Sequence, residues 1–157
     1  MGIKVECNVV SDFYQNGRVR KFNVDCDEPA EIGGGDRAPR PVDYLLLGLG
    51  FCQTSICLEM ASILGLRLSK ISASVHAELD LRGIYGIADV SPGFRNVIVR
   101  IALDTEEKDK EDLIQELIHL MQQRCPGYAT FVNPTSVTTL VQINGVQWKR
   151  RESNRKS

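Results

Sequence analysis

PVDYLLLGLGFCQTSICLEM, residues 41–60, is the stretch on which the fold turns. Pro41 suits the first turn of a helix, where its missing N–H has no intrahelical partner to lose. A helical pattern then runs to Leu64, and Gly65 offers the stop. At the usual rise this helix is roughly 35 Å long. Leu45, Leu46, Leu47, Leu49, Phe51, Ile56, Leu58, Met60, Ile63 and Leu64 cover most of its circumference, so a small sheet alone cannot bury it and a partner subunit is expected as cover. Its longest apolar run, residues 44–52, is about nine residues against about twenty needed for a bilayer, so a buried helix is expected and not a membrane span.

Outward from the helix toward the N-terminus, DEPAEIGGGDRAPRP (residues 27–41) reads as a loop dense in glycine and proline. Before it, residues 3–10 and 17–25 read as two strands of a hairpin that turns across Tyr14, Gln15, Asn16 and Gly17. On the other side, residues 68–82 alternate, with Ile71, Ala73, Val75, Ala77, Leu79 and Leu81 on one face, as a half-exposed strand does. Residues 97–103 make its antiparallel neighbour. Asp104 is placed to cap a helix with Glu106 and Glu107 in its first turn and an apolar stripe of Leu113, Ile114, Leu117, Ile118, Leu120 and Met121. That helix must stop near Cys125, since Pro126 pushes the residue before it out of the α region. Residues 136–143 read as a last strand. Residues 1–148 are thus expected to form one domain, and the basic segment 149–157 a solvated, disordered tail.

The chain has 157 residues, 43% of them hydrophobic, enough for one real core. A net charge of -1 removes any overall electrostatic case for nucleic acid or an anionic membrane surface. The N-terminal residues lack the pattern of a signal peptide, and five cysteines are an odd number, so free thiols in a reducing cytoplasm are expected rather than structural disulfides. No CxxC occurs. The two histidines, His76 and His119, fall on an exposed strand face and within a helix, so no metal site is read.

Cys7 and Cys26, in strand contexts, read as small core hydrophobes. Cys52 and Cys57 are five residues apart on one helix, about 8.6 Å between Cα atoms, beyond the roughly 7 Å that a disulfide allows. For Cys52, with Gly48 and Gly50 nearby, two readings stand: a buried core thiol, or a reactive one. In mid-helix the dipole gives a thiolate little help, so the second reading needs a cation, from Arg18, Arg20, Arg37, Arg40 or Arg124. Cys125, at a helix C-terminus where the dipole disfavours negative charge, suits a resolving thiol better than an attacking one.

Three segments together, GGGDRAPRPVDYLLLGLGFC (residues 33–52), DLRGIYGIADVSPGFRNVIV (residues 80–99) and CPGYATFVNPTSV (residues 125–137), resemble the OsmC/Ohr family of hydroperoxide-detoxifying proteins, the Cys-Pro being followed by a β segment. The resemblance implies an α+β fold, antiparallel sheets around a long central Cys-bearing helix, in an intertwined homodimer with the active sites at the interface. It also implies a thiol peroxidase cycle without metal, haem or other cofactor: Cys52 attacks an organic hydroperoxide, becomes a sulfenic acid and forms a disulfide with Cys125, which a dithiol reductant reopens. No nucleic acid and no membrane partner is implied. Arg18 best matches the position of the family's activating arginine, with Arg37 and Arg40 as alternatives from the loop. The family's glutamate after the proline is here Val42. Asp43 is the nearest carboxylate, useful only if the helix starts late, and Glu59 shares the face of Cys52. An apolar approach would be lined by Leu45, Phe51 or Ile56. The alternative is a non-catalytic small-ligand-binding or redox-sensing dimer of the same fold.

Overall fold

The computed structural model describes residues 1–107 and 109–148. The basic segment 149–157 lies outside them. Three strands, β1 (Val5–Ser11), β2 (Tyr14–Val19) and β3 (Phe22–Cys26), form an antiparallel meander. The expected two-stranded hairpin is corrected: Asn16 and Gly17 lie inside β2, opposite Asn8 and Cys7 on one side and Asp25 and Val24 on the other. The chain turns instead at Asp12 and Arg20, both left-handed at φ 49° and 53°. Gly17 is present for packing, since a Cβ there would stand 3.0 Å from Val24 Cγ2.

The glycine-rich loop that follows is knotted by Asp27, which is fully buried. Its carboxylate accepts the amides of Glu28, Gly35 and Arg37 and the Arg37 Nε–H at 2.7 Å. These bonds, the Arg37 guanidinium first, hold the Asp27 carboxyl below the usual carboxylate range. A Cβ on Gly34 would collide with the Glu28 carbonyl, so the loop needs glycine at that point.

Helix α1 (Pro41–Leu64) has the expected bounds, opened by Pro41 and closed by Gly65 at φ 69°. It is the one helix among the described residues long and apolar enough to cross a bilayer. One side of it, Leu49, Gly50, Gln53, Cys57 and Ala61, is buried. The other leaves Phe51 67% and Ile63 72% exposed.

β4 (Leu68–Glu78) pairs antiparallel with β5 (Arg95–Thr105), and the expected alternation holds, with Ile71, Ala73, Val75 and Ala77 half-buried. β4 ends before residue 82 because Asp80 caps the short α2 (Leu81–Ile84), its carboxylate gathering Arg82 at 2.8 Å and Arg95 at 3.3 Å. Asp104 is not a helix cap: it lies in β5 opposite Lys70. Strand pairing outlasts the expected boundary, and Glu107 is taken by the Arg67 amide and Lys110. α3 (Glu111–Arg124) therefore starts later, with Glu111 and Asp112 in its acidic first turn.

After Cys125 the expected β segment is replaced by a second helix, α4 (Pro126–Val132), in which Pro126 takes the first position. The last strand shrinks to β6 (Val141–Ile143), paired with β7 (Val146–Trp148) across Asn144 and Gly145, both at positive φ as a tight hairpin turn requires. The core gathers Cys57, Ala61, Leu66, Leu117 and Met121, from α1, its exit and α3, over the apolar face of β4 and β5.

Candidate active site

Two helices meet at the sulfur of Cys52. α1 presents it in mid-helix, half-buried, and the first turn of α4 comes down on it, the Gly127 N–H donating to Cys52 Sγ at 3.3 Å. A Cβ on Gly127 would lie 2.9 Å from Cys52 Cβ and 3.7 Å from Cys125 Sγ, so both sulfurs border the space this glycine leaves free. The structure thus brings together the two cysteines singled out in the sequence. All five cysteines are free thiols.

Cys125 is fully buried at the joint between α3 and α4. Its backbone is extended, as the residue before proline must be, and its sulfur accepts the Tyr128 N–H at 3.4 Å. The sequence placed it only at a helix C-terminus; it also caps the N-terminus of the next helix. Burial pushes the Cys125 thiol up, and the Cys52 thiol beside it adds to this, against the amide of Tyr128. Cys57 is a sealed core thiol, likewise pushed up by burial. Cys7 is exposed, contrary to its reading as a core hydrophobe, and Cys26 is half-buried.

Arg18 lies in β2, opposite Glu6 and Asn23, and its Nε donates to the Arg20 carbonyl at 3.4 Å. Arg37 is held by Asp27, and Arg40 by Asp43 through bonds of 3.0 Å and 2.7 Å. The Gly127 N–H donates to Cys52 Sγ, while the side-chain hydrogen bonds of these three arginines go to other acceptors. Because α1 begins at Pro41, Asp43 is already helical and points about 180° away from Cys52; it lines a cleft between α1 and β4 with Leu46, Leu47 and Phe51. Of the expected apolar approach, Phe51 thus faces that cleft and Ile56 packs on the core. Glu59 is exposed.

The sequence reading missed one feature of the site, Gly127, hidden because its partner lies 75 residues away; Pro126 directly after the cysteine, a first-position signal, would have pointed to α4.

A family model described as OsmC-like protein matches residues 33–140. No curated protein matches the sequence. Among solved structures, an OsmC-like protein from Mycoplasma pneumoniae superposes with a TM-score of 0.70 at 19% identity, over 83% of this chain and 87% of that one. The organic hydroperoxide resistance protein OsmC of Legionella pneumophila gives 0.59 at 16% identity, over 84% and 90%. OhrB of Bacillus subtilis, also an organic hydroperoxide resistance protein, gives 0.54 at 19% identity, over 85% and 93%. These likenesses are of fold, an α+β arrangement of antiparallel sheets and helices.

Proposed function

Because the chain belongs to the OsmC-like protein family, we propose that it is a thiol-dependent peroxidase for organic hydroperoxides, with Cys52 attacking and Cys125 resolving. The observation that carries this reading is the convergence of both thiols on the gap beside Gly127, each sulfur accepting a backbone amide of α4. The names of the Legionella pneumophila and Bacillus subtilis neighbours point to the same substrate class.

In the cycle, the Cys52 thiolate bonds to the terminal peroxide oxygen, the O–O bond breaks, and the alkoxide leaves to be protonated to an alcohol. Cys52 is left as a sulfenic acid. Cys125 condenses with it, releasing water and forming a disulfide, and an external dithiol reduces that bond while becoming a disulfide itself. Burial supports the division of roles: Cys125 is sealed and its thiol is held protonated, whereas half-buried Cys52 can meet a peroxide. The working form is a homodimer in a reducing cytoplasm, with no metal or cofactor in the cycle. The activating cation we assign is Arg18, which lines one cavity together with Pro41 and Tyr44 of the first turn of α1.

Cumene hydroperoxide added to reduced protein is expected to be consumed with loss of two titratable thiols and appearance of a Cys52–Cys125 bridge by mass spectrometry, and Cys52→Ser to abolish both. An unchanged thiol count would sink the proposal. Two observations favour a second reading, a ligand-binding or redox-sensing dimer: Val42 supplies no carboxylate, and Arg37 and Arg40 are engaged elsewhere. Under it, ligand affinity survives Cys52→Ser.

A further inference from the structure

We infer that Phe94 is a positioning residue for the resolving step: its ring, stacked on Phe131, holds α4 so that the Cys125 thiol stays beside Cys52. The inference rests on the peroxidase reading above and adds to it a residue outside the thiol site. The two ring centroids are 6.4 Å apart with 21° between the planes, within the range in which aromatic pairs attract. Phe131 lies four residues after Gly127 on α4, about one turn further and on the same side of that helix. Gly127 fits against Cys52 at the start of α4, and Phe131 meets Phe94 at its end. A helix of 7 residues is too short to hold itself in water, so its packing on α1, α3 and Phe94 decides where it lies.

Phe94 itself stands on a stiff support. It closes the segment SPGF (residues 91–94), in which the Ser91 hydroxyl accepts the Gly93 N–H at 3.2 Å. Arg95, the next residue, opens β5 and reaches the buried Asp80 carboxylate at 3.3 Å. Gly83 packs against the returning limb of the same excursion, where a Cβ would stand 2.6 Å from the Val90 carbonyl oxygen. The ring is therefore fixed to the β4–β5 sheet, and through Phe131 it ties α4 to that sheet. Cys52 needs no such tether, since Cys57 and Ala61 seat α1 in the core. Condensation does need it. The Cys125 sulfur bonds to the sulfenic sulfur of Cys52, the S–O bond breaks, and the departing hydroxide takes the Cys125 proton as water, so the two sulfurs must meet across the contact between α1 and α4. The preceding attack on the hydroperoxide uses the Cys52 sulfur alone.

The test treats full-length reduced protein with cumene hydroperoxide and follows, by mass spectrometry, Cys52 sulfenic acid trapped with dimedone and the Cys52–Cys125 bridge. Wild type is compared with Phe94→Leu, Phe131→Leu, the double variant and Phe94→Tyr. Phe94→Leu is expected to consume the peroxide at the wild-type rate but to form the bridge about two- to tenfold more slowly, with more sulfenic acid trapped. Phe131→Leu should behave in the same way and the double variant no worse than either, because one contact is lost in all three. Phe94→Tyr, which keeps the ring, should match wild type. Bridge formation at the wild-type rate or faster in both single leucine variants overturns the inference alone, and so does an equal slowing of both steps, which would mean a general loss of structure. Wild-type protein inert to the hydroperoxide removes the peroxidase reading and this inference with it.

Discussion

Gly127 lets α4 approach α1 because it has no side chain. A methyl group there would stand 2.9 Å from Cys52 Cβ and 3.2 Å from its sulfur, closer than such contacts allow. In a helix, alanine for glycine alone stabilises by about 0.5–1 kcal/mol, whereas forcing a methyl into a packed contact costs about 1–3 kcal/mol. Gly127→Ala is therefore expected to be less stable than wild type in denaturant unfolding and to form the Cys52–Cys125 bridge more slowly after peroxide. A variant as stable as wild type would mean that α4 does not rest on Cys52. The two thiols were legible in the sequence because cysteine, helix and proline are local signals. Gly127 was not: its role arises from a contact between segments far apart in the chain, and the closeness of two helices is not written in local periodicity. The arginine is the complementary case. Arg37 and Arg40 looked available in the loop, and only the folded chain shows Asp27 and Asp43 holding them.

At the level of elements, periodicity found α1, β4, β5 and α3, whose apolar positions repeat over several turns or pleats. It failed where tertiary bonds set the boundary. Asn16-Gly17 looked like a turn but lies inside β2, and Asp104 looked like a cap but is still paired with Lys70. Asp80 shows the same effect with a consequence that pH can test. It ends β4, caps α2 through the Arg82 amide and binds both Arg82 and Arg95, tying the ends of the excursion from residue 80 to residue 95 together. Its carboxyl is held down to about 2, chiefly by the Arg82 side chain, against an ordinary value of 3.8. A carboxylate lowered in the folded state contributes stability above its unfolded pKa and loses it as pH falls through the folded one. Asp80→Asn is accordingly expected to lower Tm at neutral pH, with the gap to wild type closing between about pH 4 and pH 2. A gap independent of pH would show that the carboxylate charge is not what closes the excursion.

For the whole molecule, exposed surface is the deciding quantity. Among the described residues, Phe51, Leu58 and Ile63 on α1 are 67%, 50% and 72% exposed, and Val5, Val9 and Val10 on β1 are 60%, 67% and 60%; large apolar side chains left uncovered in this way mark a surface for a partner. A standard interface covers about 800 Å² of each partner, and obligate dimers cover more and are more hydrophobic. Part of this uncovered apolar surface lies on the central helix that bears Cys52, so the site and an uncovered face share one element. The homodimer proposed above is thus expected to be needed for stability as well as for assembly. Light scattering of wild-type protein at micromolar concentration should give twice the chain mass. Phe51→Glu combined with Ile63→Glu should shift it toward the monomer, with a lowered Tm that depends on protein concentration. A wild-type protein that is monomeric and stable at those concentrations would leave α1 without its partner and refute the dimer.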